Sequence, residues 1–138
     1  MFKSILIAID LADPSSWSRA LPIAMPLARA SEARLTLATV ITERETRADQ
    51  WSSAGFREQI DVARARLSKL ADECGDLPHQ VLVGSGSIGP VILQLAAEAQ
   101  ADLIVLASHR PGLRDYLIGG NAAHVVNHAP CSVLVVRE

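Results

Sequence analysis

Five short apolar runs, alternating with stretches of helical periodicity, constrain the fold of this chain more than any other feature. Ile5–Asp10, Arg34–Val40, Gln80–Val83, Leu103–Ala107 and Ser132–Arg137 have the length and the Val/Ile/Leu content of strands covered on both faces. Between them the apolar residues recur at three- and four-residue steps, as on one face of a helix. The order βαβαβαβαβ calls for a parallel sheet with helices on both faces, and no internal repeat interrupts it. In such sheets ligands bind beyond the carboxyl ends of the strands, where the strand order reverses. If the first and fourth strands are neighbours, Asp10 and the segment 108–121 meet there.

The first helix is expected from Asp13, as N-cap, and Pro14 to about Ser31, with Trp17, Ala20, Leu21, Ala24 and Ala28 on one face. Pro22 and Pro26 fall inside it; each removes a hydrogen bond at a cost of about 3 kcal/mol in an ideal helix, so a kink or break is expected. Ile41–Ser53 has mixed charge and no period and reads as a loop. Gly55–Cys74 is the clearest helix, with Gly75 as its C′ residue. A further helix opens at Pro90, and a short one follows Gly119-Gly120 and closes at Pro130.

With 138 residues, 49% of them hydrophobic and 20% charged, the chain is expected to form one globular domain over 1–138. A net charge of -2 argues against a general nucleic-acid-binding surface. No apolar run reaches membrane-spanning length, and Asp10 and Asp13 come too early for a signal peptide. Cys74 and Cys131 have no metal-ligand or redox spacing, which fits a reduced, cytoplasmic protein.

Candidate chemistry concentrates near the C-terminus. A glycine pair at a helix start, Gly119-Gly120, lets backbone N–H groups and the helix dipole face an anion, or it serves a turn that needs positive φ. Three of the four histidines (His109, His124, His128) and Arg110 and Arg114 lie in the same segment. His109 with Arg110 suits an anion contact or a charged surface loop. His124 and His128 are one turn apart without an accompanying carboxylate, and a partly packed pair outweighs a zinc site. Asp10 could accept from a ribose hydroxyl or a base, hold Mg²⁺ beside phosphates, or cap the following turn. Trp17 and Trp51 are too isolated to form a stacking platform. GSGSIG at 84–89 has the glycine spacing of a dinucleotide fingerprint, but it follows the third strand, so a tight strand-to-helix turn is expected, one placed to help line the phosphate crevice. No nucleophile elbow is present, and nothing in the sequence requires catalysis.

The segments ILIAID, DLIVLASHR and HAPCSVLVV resemble the first strand, the fourth strand and the last strand of the universal stress protein family, over nearly the whole chain. The resemblance implies an open five-stranded parallel sheet in order 3-2-1-4-5. Nucleotide-binding members carry two glycines two residues apart, then nine residues, then glycine with Ser or Thr. Here Ala107 and Arg110 replace the first two glycines, the loop is one residue shorter, and Gly120 stands where the hydroxyl residue belongs. ASHRPGLRDYLIGGNAA nevertheless resembles a bacterial subgroup that reads ASHRP…LLGSNAA. The resemblance implies that Ala8, Asp10, Val40, Leu106 and Ala107 border an adenosine. It places Ser108, His109 and Arg110 beside ribose and phosphates, with Gly119, Gly120 and Asn121 as the phosphate nest. Losing a hydroxyl at position 120 removes one hydrogen bond, a net effect of about 0.5–1.5 kcal/mol, so weaker binding is expected rather than none.

The leading expectation is therefore a cytoplasmic stress-response regulator or sensor holding ATP or a related adenine nucleotide, with Mg²⁺ as a candidate companion. Any hydrolysis should be slow, because no general base stands beside the phosphates. The alternative is a homodimeric interaction module that has lost nucleotide binding. Family members often pair through the last strand, and Ser132–Arg137 would leave an apolar sheet edge open in a monomer unless a helix covers it.

Overall fold

All five apolar runs are strands of one parallel sheet with the order β3-β2-β1-β4-β5. The structure is a computed structural model and describes residues 1–42, 53–108 and 119–137. The strands are β1 (Ser4–Ala8), β2 (Arg34–Ile41), β3 (His79–Ser85), β4 (Leu103–Ser108) and β5 (Ser132–Arg137). Among the described residues the α-helices are α1 (Ser15–Ser18), α2 (Ala20–Ser31), α3 (Ser53–Ala71), extended by a 3-10 turn at Asp72–Cys74, α4 (Ile88–Glu98) and α5 (Gly120–His128). β1 stops two residues short of the expected Asp10, although Ile9 N–H still donates to Ala38 C=O at 2.8 Å.

Alternation along the central strands divides the core into two layers. Ile5, Ile7, Leu35, Leu37, Leu103 and Val105 pack with Leu21, Ala24 and Ala28 of α2 and Leu67 of α3. Leu6, Ala38, Ile104 and Leu106 face the other way, onto Val91, Ile92 and Leu95 of α4 and Val125 of α5. Burying each such Leu or Ile is worth about 1.5–3 kcal/mol, which is why the sheet is sealed on both sides.

The first predicted helix is two helices, α1 and α2, with Arg19 between them. The cause lies at Pro22, which has no N–H to give the Ser18 carbonyl and whose ring crowds it, so α1 ends at Ser18. Pro26 stays inside α2, on its exposed side. Asp13 caps the start as expected, with Oδ1 accepting from Ser15 N–H at 3.0 Å and Ser15 Oγ at 2.6 Å. Pro14 has helical angles (φ -56°, ψ -25°).

At the opposite end of the sheet, Asp102 ties β4 to β1. Its carboxylate accepts from Lys3 N–H at 2.9 Å and Ser4 N–H at 3.1 Å. Desolvation pushes this carboxyl upward. The backbone N–H groups of Lys3, Ser4 and Asp102 itself, with the Lys3 charge, outweigh it and hold the pKa below the ordinary value. Both cysteines are free, and burial pushes the Cys74 thiol above its usual range despite the charge of Arg29. Among the described residues no helix is long and apolar enough to cross a membrane.

Candidate functional site

β1 pairs with β2 on one side and β4 on the other, so the chain leaves the sheet in opposite directions from the two central strands. Beyond their carboxyl ends lies a cleft of about 690 Å³, within the roughly 300–1,000 Å³ range of small-molecule sites. Nine of the eleven sequence-predicted site residues line it: Ala8, Asp10, Val40, Leu106, Ala107, Ser108, Gly119, Gly120 and Asn121. His109 and Arg110 lie outside the described residues, as do Arg114, Trp51 and most of the two predicted loops.

One wall is the turn between β1 and α1. Asp10 Oδ1 accepts from Ala12 N–H at 2.9 Å, and Asp13 N–H donates to Asp10 C=O at 3.0 Å. Of the readings open for Asp10, capping this turn is what one of its oxygens does. Among the described residues Oδ2 makes no hydrogen bond, so it can still accept from a ligand.

The opposite wall is the start of α5. Ala123 N–H donates to Gly119 C=O at 2.8 Å, the first bond of the helix, and among the described residues no side chain caps the turn before it. The N–H groups of Gly120, Asn121 and Ala122 therefore have no intrahelical acceptor. The alternative account of the glycine pair does not hold, because Gly119 has φ -55° and neither glycine has positive φ. Nor does close packing require Gly120, since a Cβ there would meet nothing within 4 Å among the described residues. A glycine in a helix costs roughly 0.5–1 kcal/mol relative to alanine, and at position 120 nothing within the described chain offsets it.

The cleft is thus polarised. Its charged lining residues, among those described, are Asp10 and Asp13, on the α1 side. On the α5 side the helix dipole adds a partial positive charge to the uncapped N–H groups. Ala38, Ile88, Ile92 and Ala122 make an apolar floor between them.

Sequence reasoning did not single out Thr39, Thr42, Asp13, Ser16, Ile88 or Ile92, all of which line the cleft. Thr39 and Thr42 flank Val40 at the carboxyl end of β2, and that position was the signal available for them. Ile88 is the fifth residue of GSGSIG and opens α4, which also carries Ile92, so the motif reaches the cleft through Ile88. The glycines of that motif do not line the cleft. Gly86 makes the β3–α4 turn at φ +128°, and a Cβ on Gly89 would stand 2.8 Å from the His124 ring. His124 in turn stacks on His128 with ring centroids 4.3 Å apart, and His128 Nδ1 lies 2.8 Å from the His124 carbonyl. Among the described residues no group of three or more His, Cys, Asp or Glu is placed to hold a metal ion.

The universal stress protein family model matches residues 1–137. A protein of Staphylococcus aureus strain USA300, assigned by name to that family, is 31% identical over 142 aligned positions, covering 99% of this chain and 84% of the relative. A solved universal stress protein in complex with cAMP is 25% identical with a TM-score of 0.67, covering 99% of this chain and 97% of that one. An Arabidopsis thaliana family protein with AMP bound is 20% identical with a TM-score of 0.64, covering 99% and 92%. That second likeness is one of fold.

Proposed function

This chain belongs to the universal stress protein family, and from that premise we propose that it binds ATP or a related adenine nucleotide in the cleft between the Asp10 turn and the start of α5. The polarity of the cleft carries this reading. A nucleotide has a donor-rich, uncharged nucleoside end and an anionic phosphate end, and the cleft offers a carboxylate on one wall and uncapped helix N–H groups on the other. The cAMP complex of a 25% identical relative supports the ligand class. In this reading Ala8, Val40, Leu106 and Ala107 enclose the adenosine, and Asp10 accepts from its ribose or base. Ser108, His109 and Arg110 flank ribose and phosphates, and Gly119, Gly120 and Asn121 form the nest. In this reading the two carboxylates among the described cleft residues, Asp10 and Asp13, stand on the nucleoside side opposite the nest, so they are not at hand for a Mg²⁺ ion accompanying the phosphates of ATP.

The protein acts in this reading as a single cytoplasmic domain, a stress-response regulator or sensor rather than an enzyme. Two unpaired cysteines support the reducing compartment, and the net charge of -2 weighs against nucleic acid as a partner. It pairs with a second copy through β5, which has a neighbour on one side only and leaves Val133, Leu134 and Val135 half-buried. The same edge, with Ala107, Arg110 and Gly120 in place of family motif residues, favours a second reading, a dimeric module without nucleotide. Gly119→Val separates them. It should abolish adenine-nucleotide binding while the circular dichroism spectrum and the dimer stay unchanged; unchanged affinity would contradict the placement of the nest. Arg110→Glu should weaken binding if that side chain pairs with phosphate.

A further inference from the structure

The turn that carries Asp10 to the cleft wall is closed by Asp13 N–H on Asp10 C=O and tied to α1 by one hydroxyl. Ser16 Oγ accepts from Asp10 N–H at 2.9 Å and donates to Asp10 C=O at 3.1 Å. A hydroxyl is both donor and acceptor, so a single side chain engages both backbone groups of residue 10. From the other side, Arg66 of α3 donates to Leu11 C=O at 2.8 Å. With its backbone fixed, Asp10 commits Oδ1 to Ala12 N–H, which sets the side-chain orientation and leaves Oδ2 to the cleft.

We propose that Ser16 is a positioning residue for the ligand: it acts through Asp10, holding an acceptor-only carboxylate toward the hydroxyl or amino donors of a nucleoside. This rests on the adenine-nucleotide reading above. An ionised carboxylate in a fixed orientation discriminates by donor geometry, whereas one on a loose turn costs the ligand the entropy of ordering it. Ser16 lies in the four-residue α1 and contributes no core side chain, so its hydroxyl is free to serve the turn.

The experiment is a double-mutant cycle. AMP is titrated calorimetrically into the wild type, Ser16→Ala, Asp10→Ala and the double variant, well below the melting temperature of each. Ser16→Ala should weaken binding by about three- to tenfold. The double variant should bind no more weakly than Asp10→Ala alone, and Ser16→Thr should restore affinity. Wild-type affinity in Ser16→Ala would overturn the proposal. So would losses that multiply in full, which would mean that Ser16 acts independently of Asp10. Hydrogen exchange of the Ala12 amide supplies a readout without ligand. Ser16→Ala should deprotect it, and unchanged protection would refute the clamp. A wild type that binds no AMP, ATP or cAMP would remove the functional reading, and the Ala12 amide would still decide whether Ser16 orients Asp10.

Discussion

Single residues in this protein separate ligand chemistry from fold chemistry. Gly120 has open space where a Cβ would stand, so Gly120→Ala should raise the stability of the free protein by about 0.5–1 kcal/mol. The family motif that this segment resembles has Ser or Thr at this position, so a methyl group there leaves the backbone N–H groups open to phosphate and ATP affinity should be unchanged. Thermal melts should therefore shift upward by the same amount with and without ATP. Asp102 works on stability alone. Its folded pKa lies below the ordinary value, so its contribution is complete above the unfolded carboxylate range and is lost as the pH falls through the folded value. Asp102→Ala should cost about 1 kcal/mol at neutral pH, and the gap between the two melting temperatures should close in acid.

At the scale of elements, the close approach of α4 to the sheet depends on Gly84 of β3. A Cβ there would stand 2.5 Å from Val91 Cγ1 and 3.2 Å from Leu95 Cδ1. Gly84→Ala should therefore destabilise the fold by about 1–3 kcal/mol, read as a lower melting temperature. The strands were legible because their apolar runs need cover on both faces, and β4 and β5 appear within a residue of the expected bounds. The break between α1 and α2 was legible in kind but not in place. It falls at Ser18 because a proline acts on the carbonyl four residues before it. The ends of α2 and α4 carried no glycine signal. Glu32 (φ 56°) and Gln100 (φ 53°) take the left-handed conformation, and Ala33 and Ala101 donate back to Ala28 and Ala96 at 2.9 Å. The glycine pair and Asp10 pointed to the site from local chemistry, and Thr39 from its place at the end of a strand, whereas Ser16 and Ile92 enter it only through tertiary placement, which no local pattern records.

For the whole molecule, the order 3-2-1-4-5 explains both the cleft and the open edge. Reversal between β1 and β4 separates the turn after β1 from the start of α5 and leaves the space between them. The same order puts β5 last, with an apolar edge that a second copy would cover. Sedimentation should therefore give twice the mass of the chain at micromolar concentration; a concentration-independent monomer would contradict pairing through β5. Titration calorimetry of ATP, AMP and cAMP into nucleotide-free wild-type protein decides whether the cleft is a nucleotide site. At least one of them should bind saturably in the micromolar range, and Gly119→Val should abolish that binding. No measurable heat for any of the three at millimolar concentration would contradict the nucleotide reading and leave the cleft without its proposed ligand.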